Sequence, residues 1–155
     1  MILPDEVATA AVGAALAQSL PDVRSRSLLL GLSGELGSGK TTLARGLLRA
    51  LGVTGTIRSP TFTLVEPYAT ARALVHHIDL YRLDAGGAEL EALGYREIRG
   101  TPGLVMVEWP ERAGTALGEQ DLRAALGLLP QGRRLEVAAT TLAGQDWLKN
   151  CRVLL

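Results

Sequence analysis

The chain has 155 residues, 47% of them hydrophobic, which excludes a disordered segment and allows a sizeable core within one domain over 1–155. Sixteen basic residues balance sixteen acidic ones, so no global charge argues for nucleic acid or membrane as a direct partner; an RNA contact needs a local patch or an intermediary. The single cysteine, Cys151, excludes an intrachain disulfide and suits a reducing cytosol.

The N-terminus carries Asp5 and Glu6 where a secretory leader would be basic, so no signal peptide is read there. Residues 7–20 are uncharged but alanine-rich and too short to span a bilayer. Pro4-Asp5-Glu6 opens a helix with acids in its first turn, and Pro21 ends it. Leu3, Val7, Ala10, Ala14 and Ala17 are expected on its packed face, the small alanines allowing close approach.

Residues 27–33 read SLLLGLS, a short apolar run suited to a buried strand. Gly34-Glu35-Leu36-Gly37-Ser38-Gly39-Lys40-Thr41 follows and fits G-x-x-x-x-G-K-[ST], a phosphate-cradling loop. Residues 42–51 then place Leu43, Ala44, Leu47, Leu48 and Leu51 at helical spacing, with Arg45 and Arg49 off the stripe. The chemistry needs this order. Glycines let backbone N–H groups close on an anion, and the helix that follows points its unpaired N–H groups and positive dipole end at it. Lys40 would reach the β- and γ-phosphate oxygens, and Thr41 would offer its hydroxyl to Mg²⁺.

Gly52 stops the helix, and 53–58 is a loop or a short strand. In Ser59-Pro60-Thr61-Phe62-Thr63, proline disfavours helix at Ser59; the hydroxyls suit phosphate, Mg²⁺ or water, and equally an ordinary loop. Strands are expected over 64–69 and 73–78, with a turn near 70–72. The second ends in Asp79, as an acid that serves a nucleotide-bound metal would. His76 and His77 are adjacent, point to opposite faces of such a strand, and are assigned structural roles. A short helix is expected over 86–93, with Glu89 and Glu91 on a solvated face, and irregular chain over 94–99. Residues 104–107 form a second apolar strand ending in an acid, Glu108, so two strands deliver carboxylates to loops. A hairpin over 122–129 and 133–141 turns at Pro130-Gln131-Gly132 and is expected to extend the sheet antiparallel. Residues 145–148 add a helical turn.

GELGSGKTT at 34–42, SPTFTLVEPY at 59–68, HIDLYRL at 77–83, ELEALG at 89–94 and VEWPE at 107–111 together resemble the TsaE (YjeE) family. That family is the small P-loop ATPase of bacterial threonylcarbamoyladenosine formation at position 37 of tRNA. The resemblance covers most of the chain. It implies that Gly37, Ser38, Gly39, Lys40, Thr41 and Thr42 bind nucleotide phosphates, with Lys40 the phosphate lysine. It implies Mg²⁺ held by Thr41 and Glu108, Asp79 near the γ-phosphate and the metal, Arg133 near the nucleotide, and Asp5 and Glu6 near the base. Residues 59–63 match a switch-like segment; Thr61, Tyr81 and Trp109 stand in family motifs without an assigned role. Departures are small: Glu35 stands for the usual Asp, Ser38 for Ala, Phe62 for Tyr, and Ile98 for an aromatic.

The expectation is therefore an α/β protein with a three-layer, P-loop NTPase-like fold: a mixed, mainly parallel sheet with flanking helices. It would be a cytoplasmic ATPase using ATP and Mg²⁺, with Lys40, Asp79 and Glu108 as its catalytic residues. Its partner would be the threonylcarbamoyl-transferase complex of TsaD- and TsaB-type proteins, with tRNA met through that complex and no membrane. A small-molecule kinase would need an acceptor pocket and an arginine-rich lid, at which only Arg133 and Arg134 hint. A nucleotide-gated binding module is the non-enzyme alternative. A GTPase is disfavoured because no Asn-Lys-x-Asp motif reads the base.

Overall fold

The computed structural model describes residues 1–84 and 87–151. Strands β1 (Ile2–Leu3), β2 (Ser27–Gly34), β3 (Val65–Ala69), β4 (Leu74–Asp79), β5 (Gly103–Glu108), β6 (Leu122–Leu128) and β7 (Arg133–Ala139) form one sheet. Its order is β1-β7-β6-β2-β5-β4-β3. The four central strands β6, β2, β5 and β4 run parallel; β1, β7 and β3 add antiparallel edges.

Helices α1 (Glu6–Gln18), α2 (Lys40–Ala50) and α5 (Leu142–Lys149) bound one core, where Leu16, Leu28, Leu30, Leu47, Met106 and Trp147 meet. Helices α3 (Gly87–Ala92) and α4 (Tyr95–Gly100), with a 3₁₀ segment Pro110–Leu117, accompany the second core of Leu29, Ile78, Val105, Val107 and Leu90. The expected three-layer, P-loop NTPase-like arrangement is the one observed. With cores on both sides, β5 is buried along its whole length and reads as a continuous apolar run.

Asp5 caps α1, accepting the Ala8 N–H at 2.8 Å. Of the expected face Leu3 and Ala17 are buried, whereas Val7 is 77% exposed and Ala10 and Ala14 only half-buried; the buried residues of α1 are Thr9, Val12, Gly13, Ala15, Leu16 and Ala17. The expected face was rotated because this helix is apolar nearly all round, so periodicity hardly selects a side. Glycine, not alanine, sets the α1–α2 distance: a Cβ on Gly13 would strike the Leu43 carbonyl oxygen, and one on Gly46 the Ala10 carbonyl oxygen. In α2 the expected Leu43, Ala44, Leu47 and Leu48 are all buried.

The hairpin differs from expectation in one respect. Only β7 and β1 continue the sheet antiparallel; β6 lies parallel to β2, because residues 109–121 carry the chain back past β2 before β6 begins. Residues 95–100 are helical rather than irregular, 110–117 form the 3₁₀ segment, and α5 is longer than one turn. The expected start of α3 at Gly86 and the tail 152–155 lie outside the described residues.

The free β3 edge is blunted by proline. Asp79 N–H donates to the Leu64 carbonyl and Thr70 N–H to the Ala73 carbonyl, so the alternate residues Val65, Pro67 and Ala69 face outward. Pro67 thus removes a donor from the open edge.

Candidate functional site

The loop between β2 and α2 is built on left-handed glycines: φ is +79° at Gly37 and +107° at Gly39, which precedes α2 directly. The loop opens on a cavity of about 290 Å³. Glu6, Gly37, Gly39, Lys40, Thr41, Thr42, Asp79 and Glu108 line it, together with Ser59, Thr61, Tyr81 and Trp109. Three sequence expectations do not line it: Ser38, Asp5 and Arg133. Ser38 is buried behind the loop with no partner for its hydroxyl, and its N–H donates to the Glu35 carbonyl at 3.1 Å. Asp5 is spent as the cap of α1.

Lys40 is 5% exposed, and its ammonium donates to the carbonyls of Gly34 at 2.7 Å and Glu35 at 2.8 Å. The Trp109 ring covers it, centroid 4.0 Å from Nζ, and Tyr81 packs on that ring at 5.1 Å between centroids. Burial holds the Lys40 pKa below the ordinary lysine value, against the pull of Glu108, Asp79 and Glu111.

The two strand-ending acids are register partners: Asp79 of β4 lies beside Glu108 of β5. They have different neighbours. Glu108 receives the Thr41 hydroxyl, 3.0 Å from each of its oxygens, and the Nε2 of His77 at 2.8 Å from Oε1. Asp79 receives the Ser59 hydroxyl, the Thr61 hydroxyl at 2.8 Å and the Tyr81 N–H at 2.9 Å. Ser59-Pro60-Thr61 is therefore tied to the second acid. Among the described residues the non-glycine positive φ angles are at Leu64 (66°), three residues after Thr61, and Trp109 (60°), directly after Glu108. Such backbone strain gathers at functional sites.

Arg133 lies behind the loop rather than in the cavity lining. Its guanidinium packs against Gly39, where a Cβ would meet Nη1, and its Nε and Nη1 are buried without a partner. A desolvated, unpaired guanidinium edge beside a phosphate-type loop fits an anion. Mg²⁺ fits the oxygen set of Thr41 and Glu108, since it takes few protein ligands beside phosphate and water. Among the described residues no three His, Cys, Asp or Glu converge into an all-protein metal cage.

Sequence reasoning missed His77 as a neighbour of Glu108. The available signal was its place two residues before Asp79, hence on the same strand face as the acids. It also missed the hold of Asp79 on Ser59 and Thr61, which joins residues 20 and 18 positions apart.

The model of the family described as Threonylcarbamoyl adenosine biosynthesis protein TsaE matches residues 3–134. The chain belongs to the TsaE family. It is 37% identical over 145 residues to the tRNA threonylcarbamoyladenosine biosynthesis protein TsaE of Haemophilus influenzae, covering 93% of this chain and 91% of that one. The Synechocystis TsaE is 46% identical over 114 residues, 71% of this chain and 69% of its own. The crystal structure of Bacillus subtilis YdiB superposes with a TM-score of 0.74 over 97% of this chain and 88% of that one; at 24% identity this likeness speaks for the fold. No helix among the described residues is long and apolar enough to cross a membrane.

Proposed function

We propose that this TsaE-family chain is a single Mg²⁺-dependent ATPase domain that serves threonylcarbamoyladenosine formation on tRNA. It acts in the cytoplasm on the TsaD- and TsaB-type transferase complex rather than performing the transfer. The observation that carries the reading is the convergence of Lys40, Thr41, Asp79 and Glu108 at the mouth of one glycine loop. Family membership supports the pathway.

In this reading Gly37 and Gly39 present backbone N–H groups to the phosphates, and Thr42 and the start of α2 extend that cradle. Lys40 leaves the Gly34 and Glu35 carbonyls for the β/γ oxygens, beside the Trp109 ring that covers it. Thr41 and Glu108 would hold Mg²⁺, which supplies charge neutralisation at the phosphates when bound. Asp79 sits beside Glu108 and holds Ser59 and Thr61, so it couples the γ-phosphate end of the cleft to that segment. Arg133 supplies guanidinium N–H groups to the nucleotide, and Glu6 borders the cleft toward the base. Hydrolysis converts ATP and water to ADP and phosphate. The product that matters is a changed contact with the transferase complex, through which tRNA is met.

The test is phosphate release by the protein alone, then with the transferase complex and tRNA, alongside counts of modified tRNA. Release is expected to be slow alone and raised by the partners, and Lys40→Ala is expected to abolish it. Release and modification yield that are indifferent to the protein, or to Lys40→Ala, refute the reading.

A further inference from the structure

We propose that His77 is a positioning residue for Glu108, fixing which carboxylate oxygen is left for the cation; this rests on the Mg²⁺·ATP reading of the cleft. His77 is fully buried on β4, on the strand face it shares with Asp79 and Glu108. Its Nε2 lies 2.8 Å from Glu108 Oε1. Its Nδ1 is buried and has no hydrogen-bond partner. A carboxylate offers only acceptors, so the ring N–H belongs on Nε2, where it donates to Oε1.

The consequence appears when Thr41 is engaged elsewhere. Thr41 has one hydroxyl proton, and it lies between both Glu108 oxygens at 3.0 Å. A cation on the Thr41 oxygen takes a lone pair and leaves its single proton to serve one Glu108 oxygen at a time. His77 is the other side-chain donor to Glu108, and a cation on Thr41 leaves that donor untouched. Its bond occupies Oε1, which leaves Oε2 with the Thr41 hydroxyl as its hydrogen-bond partner. The carboxylate is only 2% exposed, so water cannot substitute freely for this donor. Hydrogen-bond partners behind metal-ligating groups typically matter about ten- to a hundredfold in metal affinity.

The variants separate the donor from the ring. His77→Phe and His77→Met keep bulk and remove the donor. His77→Gln offers an amide N–H at about the reach of Nε2. Mn²⁺ binding to the protein·ADP complex is read by electron paramagnetic resonance, nucleotide affinity without metal by fluorescent ADP in EDTA, and folding by thermal melting. The expected result is Mn²⁺ affinity about ten- to a hundredfold weaker in His77→Phe or His77→Met, whichever melts cooperatively, and within about threefold of native in His77→Gln. Metal-free nucleotide affinity is expected to stay native. Native Mn²⁺ affinity in a donor-less variant overturns the proposal, and so does a Gln variant as weak as the Phe variant. A merely structural histidine would shift the melting temperature and leave metal affinity alone. Independently of any variant, ¹⁵N correlation spectra of the native protein are expected to show the ring proton on Nε2; a proton on Nδ1 alone overturns the proposal. If the native protein binds no Mn²⁺ with nucleotide, the Mg²⁺·ATP reading itself has failed and this inference falls with it.

Discussion

Arg133→Gln should weaken ATP while leaving the nucleotide-free protein at least as stable as before. The reason is an asymmetry in the present contacts. Nε and Nη1 of Arg133 are buried against the Gly39 loop and donate to nothing. Leaving such groups unsatisfied costs about 1–3 kcal/mol each, so removing them relieves a penalty that offsets the lost packing of the arginine stem. The backbone is unaffected, since the ladder pairing of Arg133 with Leu3 needs no side chain. With nucleotide bound, the same groups would make charge-assisted hydrogen bonds of about 1.5–3 kcal/mol. At roughly 1.4 kcal/mol per tenfold, ATP affinity should fall by about ten- to a hundredfold. Titration with fluorescent ATP reads the affinity, and thermal melting with and without saturating ATP reads both stabilities. At a ligand excess of about a hundred times Kd, ATP should add about 2.7 kcal/mol to the native protein and much less to the variant at the same concentration. The exposed neighbour Arg134, changed to Gln, serves as the control and should do nothing. A variant that melts early without ATP yet binds it natively would refute the reasoning and make Arg133 a strut of the hairpin.

Glu108→Ala should raise the Mg²⁺ requirement of ATP hydrolysis more than Asp79→Ala, because Glu108 touches Thr41 whereas Asp79 touches Ser59 and Thr61; Mg²⁺ titrations of phosphate release decide it, and equal, native Mg²⁺ dependence in both contradicts it. Gly46→Ala should destabilise despite a gain of about 1 kcal/mol in helix propensity, since its Cβ meets the Ala10 backbone carbonyl and such overpacking costs about 1–3 kcal/mol or more; denaturant melts give the sign. Burial pushes the Tyr95 phenol up to about 12, against a smaller downward pull from Arg99, and its hydroxyl donates to the Leu117 carbonyl at 2.6 Å. A folded value above the unfolded one of about 10 means this contribution is complete below that pH and lost as pH climbs toward 12. Tyr95→Phe should therefore be less stable at neutral pH by about 1 kcal/mol and show a shallower alkaline loss in pH-dependent melts.

What the sequence made legible follows its contrast. The α2 stripe is readable because Arg45 and Arg49 mark the opposite face, and β5 because an uninterrupted apolar run of that length suits a strand covered on both sides. The α1 face was not readable, since nothing charged lies between Glu6 and Asp22 to mark the outside. The glycine loop and the two strand-ending acids were legible one by one, as local signatures. Their partners were not. Whether β6 joins β2 in parallel depends on where residues 109–121 travel, and no local pattern encodes that. The strand face of His77 was readable from Asp79 two residues on, but its partner Glu108, in a neighbouring strand 31 residues away, was not.

The register of β4 against β5 explains why two acids serve one small cleft. Adjacent strands lie about 4.8 Å apart, so Asp79 and Glu108 present carboxylates side by side at the carboxyl ends of two central strands, by the loop. Two such groups sharing a single ligand set would repel one another. Here each is instead surrounded by its own donors. Thr41 and His77 serve Glu108; Ser59, Thr61 and the Tyr81 N–H serve Asp79. Under the proposed function this division gives each acid a separate task. Glu108 answers to the metal, and Asp79 answers to the Ser59–Thr61 segment one strand away. A change of charge at the γ-phosphate position acts on both, because both border the same cavity. The Asp79 side leads outward through Thr61 to Phe62, which is 82% exposed with the Arg82 guanidinium 4.1 Å from its ring centroid. Under the proposed function, the route from the phosphate site to the surface would run through Asp79, Thr61 and Phe62, short enough for a partner to sense the nucleotide without rearrangement of the core.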